Sequence, residues 1–160
     1  MEILASAREF NVHNAKSVRG QTFASLTTNG KKYTLGPFMA PFGASAWDKR
    51  LSLDLTVGDG FDALDGVLNE STQSLGGEWH SIVRRSSHGT RLRLKLDENT
   101  KVWDHNKEAV SLQLPEAIPM GSWVSAVVEP RAYSISGRRG VTFCCKHLML
   151  EKGPPEACPF

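Results

Sequence analysis

The segment Arg91–Leu96, RLRLKL, alternates strictly between a cation and a leucine. Successive side chains of a β-strand point to opposite faces of the sheet. The pattern therefore predicts a half-buried strand with its three leucines in the core and its three cations outside. Arg91, Arg93 and Lys95 would then form one positively charged row on the outer face.

Other strands are predicted upstream of this segment. Leu51–Val57, LSLDLTV, alternates four apolar with three polar residues, which predicts a half-buried strand over 49–57. Two runs of strand-forming residues flank the turn dipeptide Asn29-Gly30, so 21–35 is predicted as a hairpin. The prolines and glycines of 36–47 predict an irregular connection, although it carries large apolar side chains.

One helix is predicted downstream of these strands. Apolar residues recur at near-helical spacing from Phe61 to Leu75, Asp59 is a suitable N-cap, and Gly76-Gly77 would end the element. Seven or eight short strands in all favour a closed barrel or a sandwich over an α/β sheet. The later segments are strands at 101–103, 110–114, 122–133 and 140–150, a basic turn at 134–139 and a flexible tail at 151–160.

The composition is that of a globular protein. Of the 160 residues, 40% are hydrophobic and 22% charged, which excludes wholesale disorder. No apolar run approaches the roughly 20 residues that cross a bilayer, and the N-terminus lacks a secretory pattern. The three cysteines do not form a disulfide framework, since two are adjacent. We therefore expect a soluble, intracellular protein with no membrane partner.

Charges are segregated along the chain although the formal net charge is only +2. Every charged residue from Asp54 to Glu78 is acidic, whereas every one from Arg84 to Lys95 is basic. A second basic block follows, and its members are Arg131, Arg138, Arg139 and Lys146. This segregation predicts an electrostatic face suited to a polyanion.

No catalytic or metal-binding pattern stands out. The five histidines are scattered, and the sequence has no HExxH, GxSxG or phosphate-binding loop. Asp54, Asp59 and Asp62 are interpreted as a strand face and a helix cap rather than as a metal site. Cys145 and His147 have the spacing of half a zinc site, but a buried cysteine is the better interpretation because no second pair exists. We predict no enzyme activity, no cofactor and no metal.

Aromatic residues interleaved with the cations favour a single-stranded nucleic acid as the polyanion. Unpaired bases stack on aromatic rings while basic side chains contact the phosphates. Each ring alone is more often a core residue than a stacking platform, and the basic strand alone is equally compatible with an ordinary soluble edge strand. The candidate rings are Phe38, Phe42, Trp47, Trp79, Trp103 and Tyr133.

A family resemblance points the same way. Met39–Trp47, MAPFGASAW, followed by Leu51–Leu55, resembles a segment of the single-stranded DNA-binding proteins of large nucleocytoplasmic DNA viruses. Those proteins are similar to a phage-type single-stranded DNA-binding protein with an oligonucleotide/oligosaccharide-binding (OB) barrel. The C-terminal segments Ser122–Val124 and Gly140–Phe143 resemble its closing strands.

The resemblance implies a mainly β protein, an OB-like closed or partly open barrel with one inserted α-helix, over residues 1–150. It also implies protection of single strands during replication or recombination, contacts with replication proteins and, by analogy with the phage relatives, a homodimer. The tail departs from the acidic phage pattern, since Glu151 and Glu156 are its only acids before Phe160.

Together these observations predict sequence-independent, non-catalytic binding of single-stranded DNA. Two alternatives stay open, a viral structural or assembly β-sandwich and a single-stranded RNA-binding protein; a viral protein would act in the host cell during replication. The candidate nucleic-acid-binding residues are Phe42, Trp47, Arg84, Arg91, Arg93, Lys95, Trp103, Arg131, Tyr133, Arg138 and Arg139.

Overall fold

The two alternating leucine segments form neighbouring antiparallel strands at the centre of an 11-stranded sheet. The computed structural model describes residues 10–27, 33–48, 50–58, 61–87, 89–114 and 116–153, with the backbone alone at Thr27, Tyr33 and Trp47. The strands are β1 (Asn11–Val18), β2 (Gln21–Thr27), β3 (Tyr33–Ala40), β4 (Ala44–Trp47), β5 (Arg50–Val57), β6 (Glu78–Trp79), β7 (Val83–Ser86), β8 (Gly89–Leu96), β9 (Lys101–Trp103), β10 (Ser122–Ile135) and β11 (Arg138–Glu151).

Five of these strands form a ring of pairings. Around the ring, β3 pairs with β5, β5 with β8, β8 with β11, β11 with β10, and β10 with β3. Counted along the chain, β3, β5, β8, β10 and β11 are the first to fifth strands of the ring. The third and fifth, β8 and β11, are parallel. Two of the strand pairs in the ring are short: β3 and β5 pair at one position, and β8 and β11 pair at two. This is a partly open, OB-like barrel.

The core lies inside this ring and follows the predicted alternation. Leu92 and Leu94 of β8 and Leu53 and Leu55 of β5 are fully buried, as is Phe143 of β11. Their burial removes the largest apolar side chains of three strands from water, which is the main stabilisation such a barrel has. The side chains between them point outward and are free to form a binding surface.

The inserted helix is confirmed, although it is shorter than the spacing predicted. Helix α1 spans Phe61–Ser71 and packs Leu64 and Leu68 into the core. It is followed by a 3₁₀ turn at Gln73–Leu75, so the chain leaves the helix before the two glycines. The predicted cap Asp59 lies outside the described residues.

The predicted hairpin at 21–35 is wrong in its pairing. β10 lies between β2 and β3 and is antiparallel to both, so these two strands do not pair with each other. β2 instead pairs with β1 through a tight turn at Arg19-Gly20, both with positive φ. The 14-residue β10 is long enough to bind β3 with its first half and β2 with its second half. The Asn29-Gly30 turn itself lies outside the described residues.

Two further expectations differ from the structure. The segment 36–47 contributes regular strand, because β3 continues through a cis Gly36-Pro37 peptide to Ala40 and β4 follows. The pairing of β10 with β3 has a register shift between Val124 and Ala126. The strand predicted at 110–114 is not formed: these residues are described, and they belong to no β-ladder.

The remaining strands agree with their predictions. β9, β10 and β11 match the segments predicted as extended, and the β10–β11 turn consists of Ser136-Gly137. β11 runs to Glu151, and residues 154–160 of the predicted tail lie outside the described residues. Within the described part of the chain, no helix has the length and apolar character to cross a membrane.

Candidate nucleic-acid interface

The outward side chains of β7, β8, β10 and β11 carry a concentration of positive charge, here called the basic face. Across the strand pairings, Arg84 of β7 is opposite Arg91 of β8, and Lys95 is opposite Cys144 of β11. Directly paired residues point to the same side of a sheet, so these cations share the outer surface. Members of the basic face are Arg84, Arg91, Arg93, Lys95, Arg131 and Lys146.

Arg91 is held against an aromatic ring at one end of the basic face. Its guanidinium carbon lies 5.2 Å from the centroid of Phe42, in the turn between β3 and β4, and Phe42 is 49% exposed. The Arg91 Nε is buried and has no hydrogen-bond partner. Arg91 is therefore positioned beside an accessible ring, an arrangement in which a base can stack on the ring while the guanidinium contacts a phosphate.

An acid on β5 lies between two of these arginines. Asp54 accepts from Arg93, with Nε–Oδ1 at 2.8 Å and Nη2–Oδ2 at 3.4 Å, and its Oδ2 is 3.9 Å from Arg91 Nη1. The hydrogen bond to Asp54 raises the pKa of Arg93. Because a carboxylate engages the arginine fork as a phosphate does, Asp54 occupies the edge of Arg93 that a phosphate would use.

The basic face continues onto β10 and β11. Arg131 and Lys146 both approach Glu129, at 3.5 Å and 3.8 Å, and both are about half exposed. Exposed pairs of this kind contribute roughly 0–1 kcal/mol, so each cation can exchange its partner for a phosphate at little cost. Cys144 lies among them, and burial raises the pKa of its thiol. This part of the surface is therefore cationic and adaptable.

Tyr133 lies on the same outer face as Arg131, because the two residues are two positions apart on β10. It is opposite Gly140 of β11, and its ring covers the position where a Cβ at Gly140 would be. A depression of about 500 Å³ adjoins this ring and is lined also by His80, Ile135, Ser136 and Arg138. Arg138 is exposed at the first position of β11.

Trp103 lies on the outer face too, but further along β11 from Lys95. It pairs with Met149, five residues beyond Cys144, which corresponds to about 17 Å along the strand. Its Nε1 donates to His147 Nδ1 at 3.2 Å, and the two rings are stacked with centroids 6.2 Å apart. They line a cavity of about 390 Å³ with Lys107 and aliphatic groups of β10 and β11. Trp103 and the RLRLKL strand share a face but not a cavity.

The prediction that Arg139 contacts phosphate is wrong, because its side chain points inward. Arg139 is 7% exposed, and its guanidinium donates to Thr72 Oγ1 at 3.1 Å and to Gly77 O at 2.6 Å. It also donates to Asn69 Oδ1 and lies over the ring of Trp79, 5.6 Å from the centroid. Arg139 therefore fastens the C-terminal end of α1 to the barrel, and Trp79 belongs to this buried contact rather than to a stacking surface.

Two other candidate rings, Phe38 and Trp47, are not described as exposed stacking surfaces. Phe38 is partly buried and meets Phe61 of α1 edge-on, with ring centroids 5.7 Å apart. Trp47 is the last residue of β4, opposite Arg50, and its side chain lies outside the description. Phe42, Tyr133 and Trp103 thus remain as described rings on the outer surface.

One aromatic residue on this surface was missed by the sequence analysis. Phe23 of β2 is 47% exposed and lies directly opposite Tyr133 of β10. The signal was present, since Ala24 and Leu26 are buried and their alternation assigns Phe23 to the outer face. The hairpin prediction for 21–35 pairs this segment with the next strand along the chain and gives no reason to place it beside the basic strands.

Of the three acids considered for a metal site, Asp54 and Asp62 are described, and Asp59 lies outside the described residues. Asp62 pairs with Arg85, and Asp54 pairs with Arg93, so these two acids point at different cations. Cys145 is buried and burial raises the pKa of its thiol to about 12, as expected for a core cysteine. Among the described residues, no three of the types His, Cys, Asp and Glu converge on a common point.

Comparison with solved structures identifies proteins of similar fold. Gp2.5, a single-stranded DNA-binding protein encoded by bacteriophage T7, aligns over 80% of this chain and 90% of its own, with a TM-score of 0.55 and 12% identity. The single-stranded DNA-binding protein of bacteriophage Enc34 aligns over 93% of this chain and 94% of its own, with a TM-score of 0.48 and 13% identity. The structure of the Enc34 protein in complex with single-stranded DNA aligns over 93% of this chain and 98% of its own, with a TM-score of 0.46 and 16% identity.

The sequence itself matches no protein-family model and no curated protein. At 12% identity, the likeness to the T7 protein concerns the fold, which both chains share over most of their length.

Proposed function

We propose that this protein binds single-stranded DNA without catalysis, on the outer face of β5 and β8. The observation that carries the proposal is the position of the RLRLKL cations. OB barrels bind oligonucleotides on the outer face of their second and third strands and with the loops that flank it. Here those strands are β5 and β8, and Arg91, Arg93 and Lys95 point outward from the third.

The two flanking loops carry the other expected groups. Phe42 lies in the connection between the first and second ring strands, next to Arg91. Arg138 and Tyr133 lie at the turn between the last two ring strands. Phosphates would contact the basic face while bases stack on the exposed rings, a mode of binding that reads little sequence.

Single-stranded DNA is favoured over RNA and over a structural role by the fold. The T7 protein with the same fold is a single-stranded DNA-binding protein, and the basic face beside exposed rings offers the contacts that a single strand uses. We further propose that the protein acts inside the cell in replication or recombination and belongs with the related proteins of DNA viruses. The homodimer and the contacts with replication proteins stay predictions.

The direct test is fluorescence anisotropy with labelled oligothymidine and with a duplex of equal length over a series of salt concentrations. We expect a clear preference for the single strand and a linear fall of log K with log salt, at about −0.7 per phosphate contact. Equal affinity for both forms, or no binding at low salt, would contradict the proposal.

Asp54→Asn provides a second expectation. Asparagine keeps the size of the side chain but removes the charge that competes with phosphate for Arg91 and Arg93, so affinity for single strands should rise about 3- to 10-fold at low salt. The matched control is Asp62→Asn on α1, whose carboxylate pairs with Arg85 away from the basic face. If Asp54→Asn binds more weakly than wild type, Asp54 orients the arginines instead of competing with DNA.

A further inference from the structure

The outer face carries a pair of aromatic rings beyond the barrel, on the β1–β2 extension. Lys16, Phe23, Tyr133 and Gly140 are consecutive partners across β1, β2, β10 and β11. Side chains opposite one another in a sheet lie about 4.5–5.5 Å apart at Cβ, so Phe23 and Tyr133 are direct neighbours on one surface.

The arrangement leaves ring surface open to solvent. Tyr133 leans over Gly140, where any larger residue would collide with it, and so does not cover Phe23. Phe23 is accordingly 47% exposed, a large accessible fraction for a phenylalanine side chain. On the far side of Tyr133 is the depression of about 500 Å³ that Arg138 lines.

Cations surround the two rings. Lys16 is exposed beside Phe23 on β1, Arg131 is two residues from Tyr133 on the same face, and Arg138 is exposed at the depression. Rings flanked by positive charge fit a nucleotide, whose base stacks while its phosphate is neutralised. A protein partner would meet the same rings only by bringing its own acidic groups.

We propose that Phe23 and Tyr133 form a base-stacking platform that extends the single-strand site from the barrel onto the β1–β2 hairpin. The inference rests on the proposed function, because the platform would hold a further part of the same single-stranded DNA that is bound at β8. Between Lys95 and Tyr133 the same surface carries Glu129 and then Arg131 on β10, and Glu129 is paired with Arg131 and Lys146.

The experiment compares oligothymidines of about 5 and about 16 nucleotides, the lower and upper range of OB-fold site sizes. Binding is measured for wild type, Phe23→Ala, Phe23→Trp and Leu112→Ala, a control that truncates an apolar side chain of 61% exposure in the β9–β10 connection. Phe23→Ala should weaken the long oligonucleotide roughly 5- to 100-fold and leave the short one within about twofold. Phe23→Trp should retain binding, and Leu112→Ala should match wild type.

The outcomes separate the two proposals. If Phe23→Ala binds both lengths as wild type does, the platform is absent while binding at β8 stands. If it loses both lengths equally, Phe23 belongs to the primary site and the proposed extension is wrong. If Phe23→Ala alters the oligomeric mass and not the affinity, the rings belong to a protein contact and the inference is wrong. If wild type binds neither oligonucleotide, both proposals fail. An unchanged melting temperature for Phe23→Ala excludes misfolding as the cause of any loss.

Discussion

Replacing Arg91 and Arg93 together by alanine is expected to weaken binding to single-stranded DNA by about 100-fold at low salt. The estimate takes about 1.5 kcal/mol for each lost hydrogen bond to a charged group, and 1.4 kcal/mol for each factor of ten. The slope of log K against log salt should become shallower by about 1.4, at 0.7 per phosphate. Anisotropy titrations at several salt concentrations measure both quantities.

The matched control is Arg91→Lys with Arg93→Lys. Lysine keeps the positive charge and loses the planar fork, so the salt slope should be retained while affinity falls modestly. If the alanine pair keeps the wild-type slope, these side chains do not contact phosphate, and the DNA site would have to lie elsewhere. Removing both arginines also leaves Asp54 unpaired, so thermal unfolding should be followed in parallel.

Arg139→Ala is expected to lower the free energy of unfolding by about 3 kcal/mol, since each buried polar group left unpaired costs about 1–3 kcal/mol. The acceptors affected are Thr72 Oγ1, Gly77 O and Asn69 Oδ1. In a chain of this size the melting temperature should fall by about 6–12 °C. Differential scanning calorimetry or thermal circular dichroism measures it.

The neighbouring residue supplies the contrast. Arg138 is exposed, so Arg138→Ala should change stability by less than about 0.5 kcal/mol while making the salt slope of DNA binding shallower by about 0.7. Arg139→Ala should leave the slope of the folded protein unchanged. The reverse pattern, with a stable Arg139→Ala that loses salt dependence, would restore the phosphate role that the basic block suggested.

The burial of Arg139 illustrates what the charge pattern concealed. Counting basic residues grouped Arg138 with Arg139, although they are adjacent in a strand and must point to opposite faces. The alternation that places Phe143 in the core also places Arg139 inward. Periodicity was therefore the better guide to each side chain, and charge density the better guide to the surface as a whole.

Strand periodicity is also the better guide to the position of the aromatic side chains. Tyr133 and Arg131 are two positions apart on β10, so alternation alone places both on one face, and the structure agrees. Phe23 was accessible to the same argument and was missed, because its importance comes from lying opposite Tyr133. That pairing joins residues about a hundred positions apart in the chain, and no local pattern indicates it.

By itself, the sequence determined which side of β5 and of β8 is apolar, because the backbone imposes a period of two on a strand. Together with the turn and helix signals, this predicted a barrel or a sandwich, one helix and an outward row of Arg91, Arg93 and Lys95, whereas the OB-like barrel was what the family resemblance implied. Only the tertiary structure decided which strands are neighbours: β10 separates β2 from β3, and Asp54 meets Arg93 across β5 and β8. Strand partners are selected by long-range packing of the whole core, and adjacent side chains on a surface follow from that choice.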